Sequence, residues 1–499
     1  MQPERTFSSP FFIIFLIFTF VANGCAPGRV PSSSAPSRFK GTLLRIQCPD
    51  KNLASRLLRQ SKAWESNQGV RIEIIPDQVA GAKPEEADIV VLPSTEIPGL
   101  IVSNRLEPLP ESFLGIDQPF NWNNILPIYK DRILSWGRTA YGVPLVGDAP
   151  ILVYRQDLLS SEKHKEEYRK QEARPLEPPQ TWADLKRISA YFKTAGIAGL
   201  PRLSSDPEEI REQFYTLAAA YVSRARSPED VIPTDQRDRT FSFHRNLSNG
   251  KPLINSVGFV YALKQLKELE SFRTKEGPSG VEGFLDGESV FCLTQAWAVA
   301  EFQKSKAGKI RDRIGFAMVP AGEGWFEPGS QEMTPGINPM VYLGSQCRVG
   351  AVMKASANRE AAFDLLSELA GRDISGQTVI DTRPGSRWAG GAIRFEQLEE
   401  RFRWDAFDLD ADHTSSLKQA VRDTLLTKKV KNPVFSLRVP DQAPRQAAVV
   451  EAIRQVLAGK KESAQALDEA AAEWNRLDMT LGIEKARQEY LLSLGFQTQ

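Results

Sequence analysis

The stretch Tyr141–Leu159, YGVPLVGDAPILVYRQDLL, decides how this chain folds. One apolar run ends at Val146, a small polar break follows at Gly147 and Asp148, and a second apolar run covers Ile151 to Tyr154 before a polar exit. A strand that leaves one folded unit and enters the next needs this pattern, because the crossing point is exposed while both flanks are buried. Gly147 lets the backbone turn there, and Asp148 sets a carboxylate where the two units face each other. A strand, turn and strand inside one ordinary domain fits the same residues, so the neighbouring segments must decide.

On the C-terminal side, Trp182–Phe192 has a helical pattern preceded by Pro178, Pro179, Gln180 and Thr181. Thr181 suits the cap and Asp184 the first turn. GVPLVGDAPILVYRQDLL followed by PPQTWADLKRI resembles the central region of family 1 extracellular solute-binding proteins, the maltose-binding-protein-like receptors of ABC importers. The resemblance implies an α/β, two-lobed periplasmic-binding-protein-like fold with an interlobe cleft and hinge crossovers. Asp148 would then lie at the first crossover and line the cleft.

On the N-terminal side, Gly41–Gln47 reads as a strand, Asn52–Trp64 as a helix, Val70–Ile75 as a second strand and ADIVVL at Ala87–Leu92 as a doubly covered parallel strand. This is an α/β order, and ligands of such sheets meet the loops at the carboxyl ends of the strands. Asp50, Lys51, Ser94 and Thr95 are the candidate contacts in those loops, although ordinary solvated loop positions account for the same residues. GLIVSNRLEPLP, from Gly99, adds to the resemblance.

Further along, Phe214–Val222 and the segment after Ser256 read as helices, and GESVFCLTQAW at Gly287–Trp297 resembles the family's strand leading to an exposed Trp. An indole at a strand end can stack on the apolar face of a sugar ring while polar neighbours bond its hydroxyls, which assigns Trp297 and Gln295 to the ligand. A Trp filling the second lobe's own core is the competing account. PMVYLGSQCRVGAVMK, from Pro339, matches the second crossover and puts Tyr342, Gly344 and Ser345 at the cleft border. TRPGSR, from Thr382, takes the place of a third crossover, where Arg387 either pairs with the ligand or clamps a loop. The family's closing pattern follows at Ala447–Trp474. The expected division is therefore lobe 1 at 41–147 plus 345–381 and lobe 2 at 148–344 plus 382–499.

Residues 1–24 read as a signal peptide: Phe11–Ala22 is apolar except for Thr19 and shorter than the ~20 residues of a membrane span. Small residues lead up to Cys25, which resembles a bacterial lipoprotein cleavage box, and residues 25–40 form a Pro- and Ser-containing tether. The expectation is a lipid-anchored monomer in the periplasm or on the surface of a bacterium, serving ABC permease subunits. Cys48, Cys292 and Cys347 remain, enough for at most one disulfide.

With 63 Lys and Arg against 62 Asp and Glu, the net charge of +1 gives no bulk field for nucleic acid. The three histidines are too scattered for a metal site, and no P-loop, HExxH, GxSxG or GxGxxG appears, so neither cofactor nor metal is expected. The favoured function is a receptor delivering a saccharide or polyol without altering it. A secreted carbohydrate hydrolase and a ligand sensor for a signalling partner are the alternatives.

Overall fold

The computed structural model describes residues 37–497 apart from 76–85, 116–119, 228, 235–239, 305–309, 311–312, 382, 384–389, 405–408, 427–429 and 431. The signal peptide, Cys25 and Arg387 lie outside the described residues, as does most of the tether. Ser37–Lys40 already belong to the fold: they form a turn, and Arg38 pairs with Glu360 at 2.7 Å.

Two sheets mark two lobes. In the first, Leu43–Gln47 pairs in parallel with Arg71–Ile75 and Ile89–Pro93. Arg348–Val352 then returns antiparallel between Ile89–Pro93 and Val143–Val146. The run Ile89–Leu92 is buried throughout, the state expected of an unbroken apolar strand covered on both faces. In the second lobe, Pro150–Arg155 lies between Phe291–Gln295 and Ile314–Met318, antiparallel to both. ADIVVL and VFCL thus sit in separate sheets. Behind the second sheet, helix Pro207–Val222 packs on Val257–Leu269 and Gln442–Leu457, its Phe214, Leu217 and Tyr221 stripe buried. Thr181 and Asp184 form a reciprocal capping box on helix Trp182–Thr194.

The chain crosses between the lobes at Gly147–Ala149 and again at Gly344–Gln346. The third crossing falls later than the boundary at Thr382. Arg394 is buried and donates to the carbonyls of Phe120 and Ala370, Gln397 donates to Ser375, and Leu126 N–H donates to Ile393. All these partners are in the first lobe, because a buried guanidinium must stay where carbonyls can satisfy it. Helix Ala411–Leu425, by contrast, lies on the second-lobe strands Ile314–Met318 and Pro150–Arg155. The final helix, Ile483–Ser493, reaches both lobes: Leu492 O accepts from Gly137 N–H, and the Tyr490 hydroxyl accepts from His244 N–H.

Candidate functional site

The first and second crossings are joined by one carboxylate. Asp148 is 1% exposed, and its two oxygens accept from the backbone N–H groups of Gly344 and Gln346 at 2.5 and 2.7 Å. Burial pushes its carboxyl up to about 6 against the pull of those two hydrogen bonds. The Tyr129 hydroxyl accepts from Asp148 N–H. Gly147 is required by close approach: a Cβ there would meet Tyr129 Oη at 2.5 Å and Gly391 O at 2.8 Å. Gly344 has φ 92°, a conformation that side-chain-bearing residues rarely adopt, and its carbonyl accepts from Ser94 Oγ.

Next to this hinge a cavity of about 460 Å³ opens between the lobes. Asn52 comes from the first lobe and Gln346 from the second crossing, while the remaining wall belongs to the second lobe. Glu209, Glu212, Gln213 and Thr216 recur at three- and four-residue spacing, so helix Pro207–Val222 turns one polar face to the cavity and its apolar face to the core. Strand Phe291–Gln295 ends there and delivers Thr294 and Gln295, with the partly buried indole of Trp297 immediately after.

Glu212 is the centre of this wall. Gln346 Nε2 donates to one of its oxygens at 3.0 Å, and Gln295 Nε2 donates to the other in a very short contact. The side-chain Oε1 of Gln295 accepts from Ala149 N–H at 2.8 Å, which ties the wall to the first crossing. Burial pushes Glu212 up to about 7, partly offset by the Gln295 hydrogen bond and reinforced by the negative charge of Asp148.

Of the residues chosen from sequence, Trp297 and Gln295 line the cavity. Asp148, Gly344 and Ser345 form the hinge behind it, and the Asp148 oxygens are engaged by backbone N–H groups. Tyr342 is buried in the core, its ring stacked on Tyr215 with centroids 5.3 Å apart. Asp50 caps helix Lys51–Gln68 by accepting from Leu53 N–H, Lys51 is exposed beside Asn52, and Ser94 and Thr95 are buried at the end of their strand. Glu212, Glu209, Thr294, Gln346 and Asn52 escaped the sequence reading. The polar stripe opposite Phe214, Leu217 and Tyr221 was the available signal for Glu209 and Glu212; Thr294, Gln346 and Asn52 carried none.

The model of the bacterial extracellular solute-binding protein family matches residues 72–378, more than half of the chain. The chain is a bacterial extracellular solute-binding protein. The family is one of binding proteins that work outside the cytoplasm, in the periplasm or at the cell surface. Solved structures agree on the fold. A ribitol complex of an ABC transporter solute-binding protein from Agrobacterium radiobacter K84 is 16% identical, with TM-score 0.61 over 88% of this chain and 99% of that one. Maltose-bound MalE3 of T. maritima is 19% identical, with TM-score 0.60 over 88% and 100%. A Thermotoga lettingae solute-binding protein bound with α-D-tagatose is 15% identical, with TM-score 0.60 over 88% and 99%. The comparison with curated proteins gives no match. In this solute-binding protein Cys48, Cys292 and Cys347 are buried free thiols. Among the described residues no group of side chains is arranged to hold a metal, and no helix is long and apolar enough to cross a membrane.

Proposed function

We propose that this protein captures a small saccharide or polyol in the interlobe cavity and presents it, unaltered, to an ABC importer. The observation that carries the reading is the cavity of about 460 Å³ with an indole beside amide and carboxylate side chains. A small ligand fits this volume, an indole suits the apolar face of a sugar ring, and Gln295, Gln346 and Glu212 suit its hydroxyls. The solved relatives holding ribitol, maltose and tagatose support the same class. Contacts from Asn52 on one lobe and helix Pro207–Val222 on the other favour the closed form, and the solute shifts that balance by its differential affinity for the two states. The protein acts as a monomer held to the membrane by an acylated Cys25.

Calorimetric titration of the mature chain with saccharides and polyols tests the binding step. A micromolar dissociation constant, about 8 kcal/mol, with the solute recovered unchanged is the expected result. A solute converted at a catalytic rate would establish the hydrolase instead. For the anchor, fatty-acid labelling should mark the wild type and be lost, with membrane association, in Cys25→Ser; a variant that stays labelled rules out acylation at Cys25.

A further inference from the structure

Four carboxylates, Glu209, Glu212, Glu282 and Glu301, stand among the amides and hydroxyls that line the cavity. Gln346 is 4% exposed and lines it. Its Nε2 is committed to Glu212, and its Oε1 is buried without a hydrogen-bond partner. A buried acceptor left in this state is stabilised by any donor that reaches it. Beside it stands the Glu212 carboxylate, which as an ionised group only accepts. Glu209 is on the same helix face, and Glu282 and Glu301 line other parts of the wall. Among the described lining residues there is no Lys or Arg.

Two kinds of ligand group can serve such a corner. A sugar hydroxyl donates one hydrogen bond but leaves the negative charge of the wall as it was. An ammonium donates three, accepts none and brings the opposite charge into a space where an enclosed carboxylate is otherwise disfavoured. We propose that the solute carries a protonated amine, seated between the Glu212 carboxylate and Gln346 Oε1, with its carbon skeleton against Trp297. The inference rests on this cavity being the solute site, as proposed above. The charge state of the wall supports it: burial, together with Asp148 and Glu208, pushes Glu212 up to about 7, so the site already favours taking up a positive charge, as a proton, near neutral pH.

Matched pairs test the proposal: 2-amino-2-deoxy-D-glucose against D-glucose and 1-amino-1-deoxy-D-sorbitol against D-sorbitol, with putrescine and spermidine as a linear arm. Each is titrated into the wild type, Glu212→Gln and Gln346→Met. At least one amine should bind about tenfold more tightly than its hydroxyl counterpart, or, for the linear arm, than any neutral polyol. Glu212→Gln should abolish that preference, weakening the amine about tenfold more than its neutral partner. Gln346→Met removes the Oε1 acceptor together with the Nε2 donor to Glu212 at unchanged formal charge; it should weaken the amine more than the neutral partner and serves as the readout if Glu212→Gln does not fold. Preference for the sugar pairs identifies an aminated sugar or polyol, and preference for the linear arm identifies a polyamine. Neutral members binding as tightly as the amines, with binding lost in Trp297→Ala, would overturn the amine and leave the receptor reading standing. If no amine and no neutral saccharide shifts the melting temperature by about 1 °C or more, the amine and the receptor reading fall together.

Discussion

Asp148 and Glu212 are both enclosed carboxylates with their acidity weakened, both beside the crossings, yet their surroundings give them different work. Asp148 is held by two backbone N–H groups of the second crossing, one on each oxygen. Glu212 is held by the side-chain amides of Gln295 and Gln346, on the cavity wall. Backbone donors fix a carboxylate as part of the chain's path. Side-chain amides can rotate and trade partners when a solute arrives. Nearness to the hinge therefore does not tell the two acids apart; the kind of donor holding each one does.

The largest effect should come from breaking the first half of this contrast. Asp148→Ala leaves the Gly344 and Gln346 N–H groups buried and unsatisfied, and should cost about 3–5 kcal/mol in urea unfolding. A variant as stable as the wild type would mean that the crossings do not depend on Asp148. The next effect concerns pH. Glu212 has its folded pKa raised from 4.5 to about 7, and Asp148 from 3.8 to about 6, so between these limits the folded state binds more protons than the unfolded one. Stability should then fall as pH rises from about 4 to about 8, and Glu212→Gln should flatten that fall by about 3 kcal/mol. Equal slopes for wild type and variant would place Glu212 in a solvated setting. Trp297→Ala should weaken solute binding roughly tenfold with little change in the melting temperature of the free protein. If it unfolds the protein, the indole is core. Smallest, Asp50→Ala removes a helix cap and should cost about 1 kcal/mol of stability with unchanged solute affinity, since the Asp50 side chain serves Leu53 N–H.

The same contrast explains how far the residues could be read in advance. The apolar runs on either side of Gly147–Asp148 fit a crossing and an ordinary turn alike, and Trp297 fits a core position as well as a cleft; the family resemblance of the flanking segments and of GESVFCLTQAW is what singled both out. Glu212 carries no such mark. A Glu on the polar face of a helix looks the same whether that face meets water or a cavity, and only the packing of Gln295 and Gln346 against it tells the two apart. The later position of the third crossing was hidden for a similar reason: residues 390–398 make few paired-strand contacts, and the hold of Arg394 on Phe120 and Ala370 spans sequence separations that local pattern does not record. Gly147 and Gly391 meet through an equally distant approach.

The most direct measurement titrates one aminated solute into Glu212→Gln and Asp148→Asn side by side. Glu212→Gln should lose affinity about tenfold or more, whereas Asp148→Asn, though less stable, should stay within about threefold of the wild type once folded. The reverse order, with Asp148→Asn losing the solute and Glu212→Gln keeping it, would contradict the account and put the ligand at the hinge.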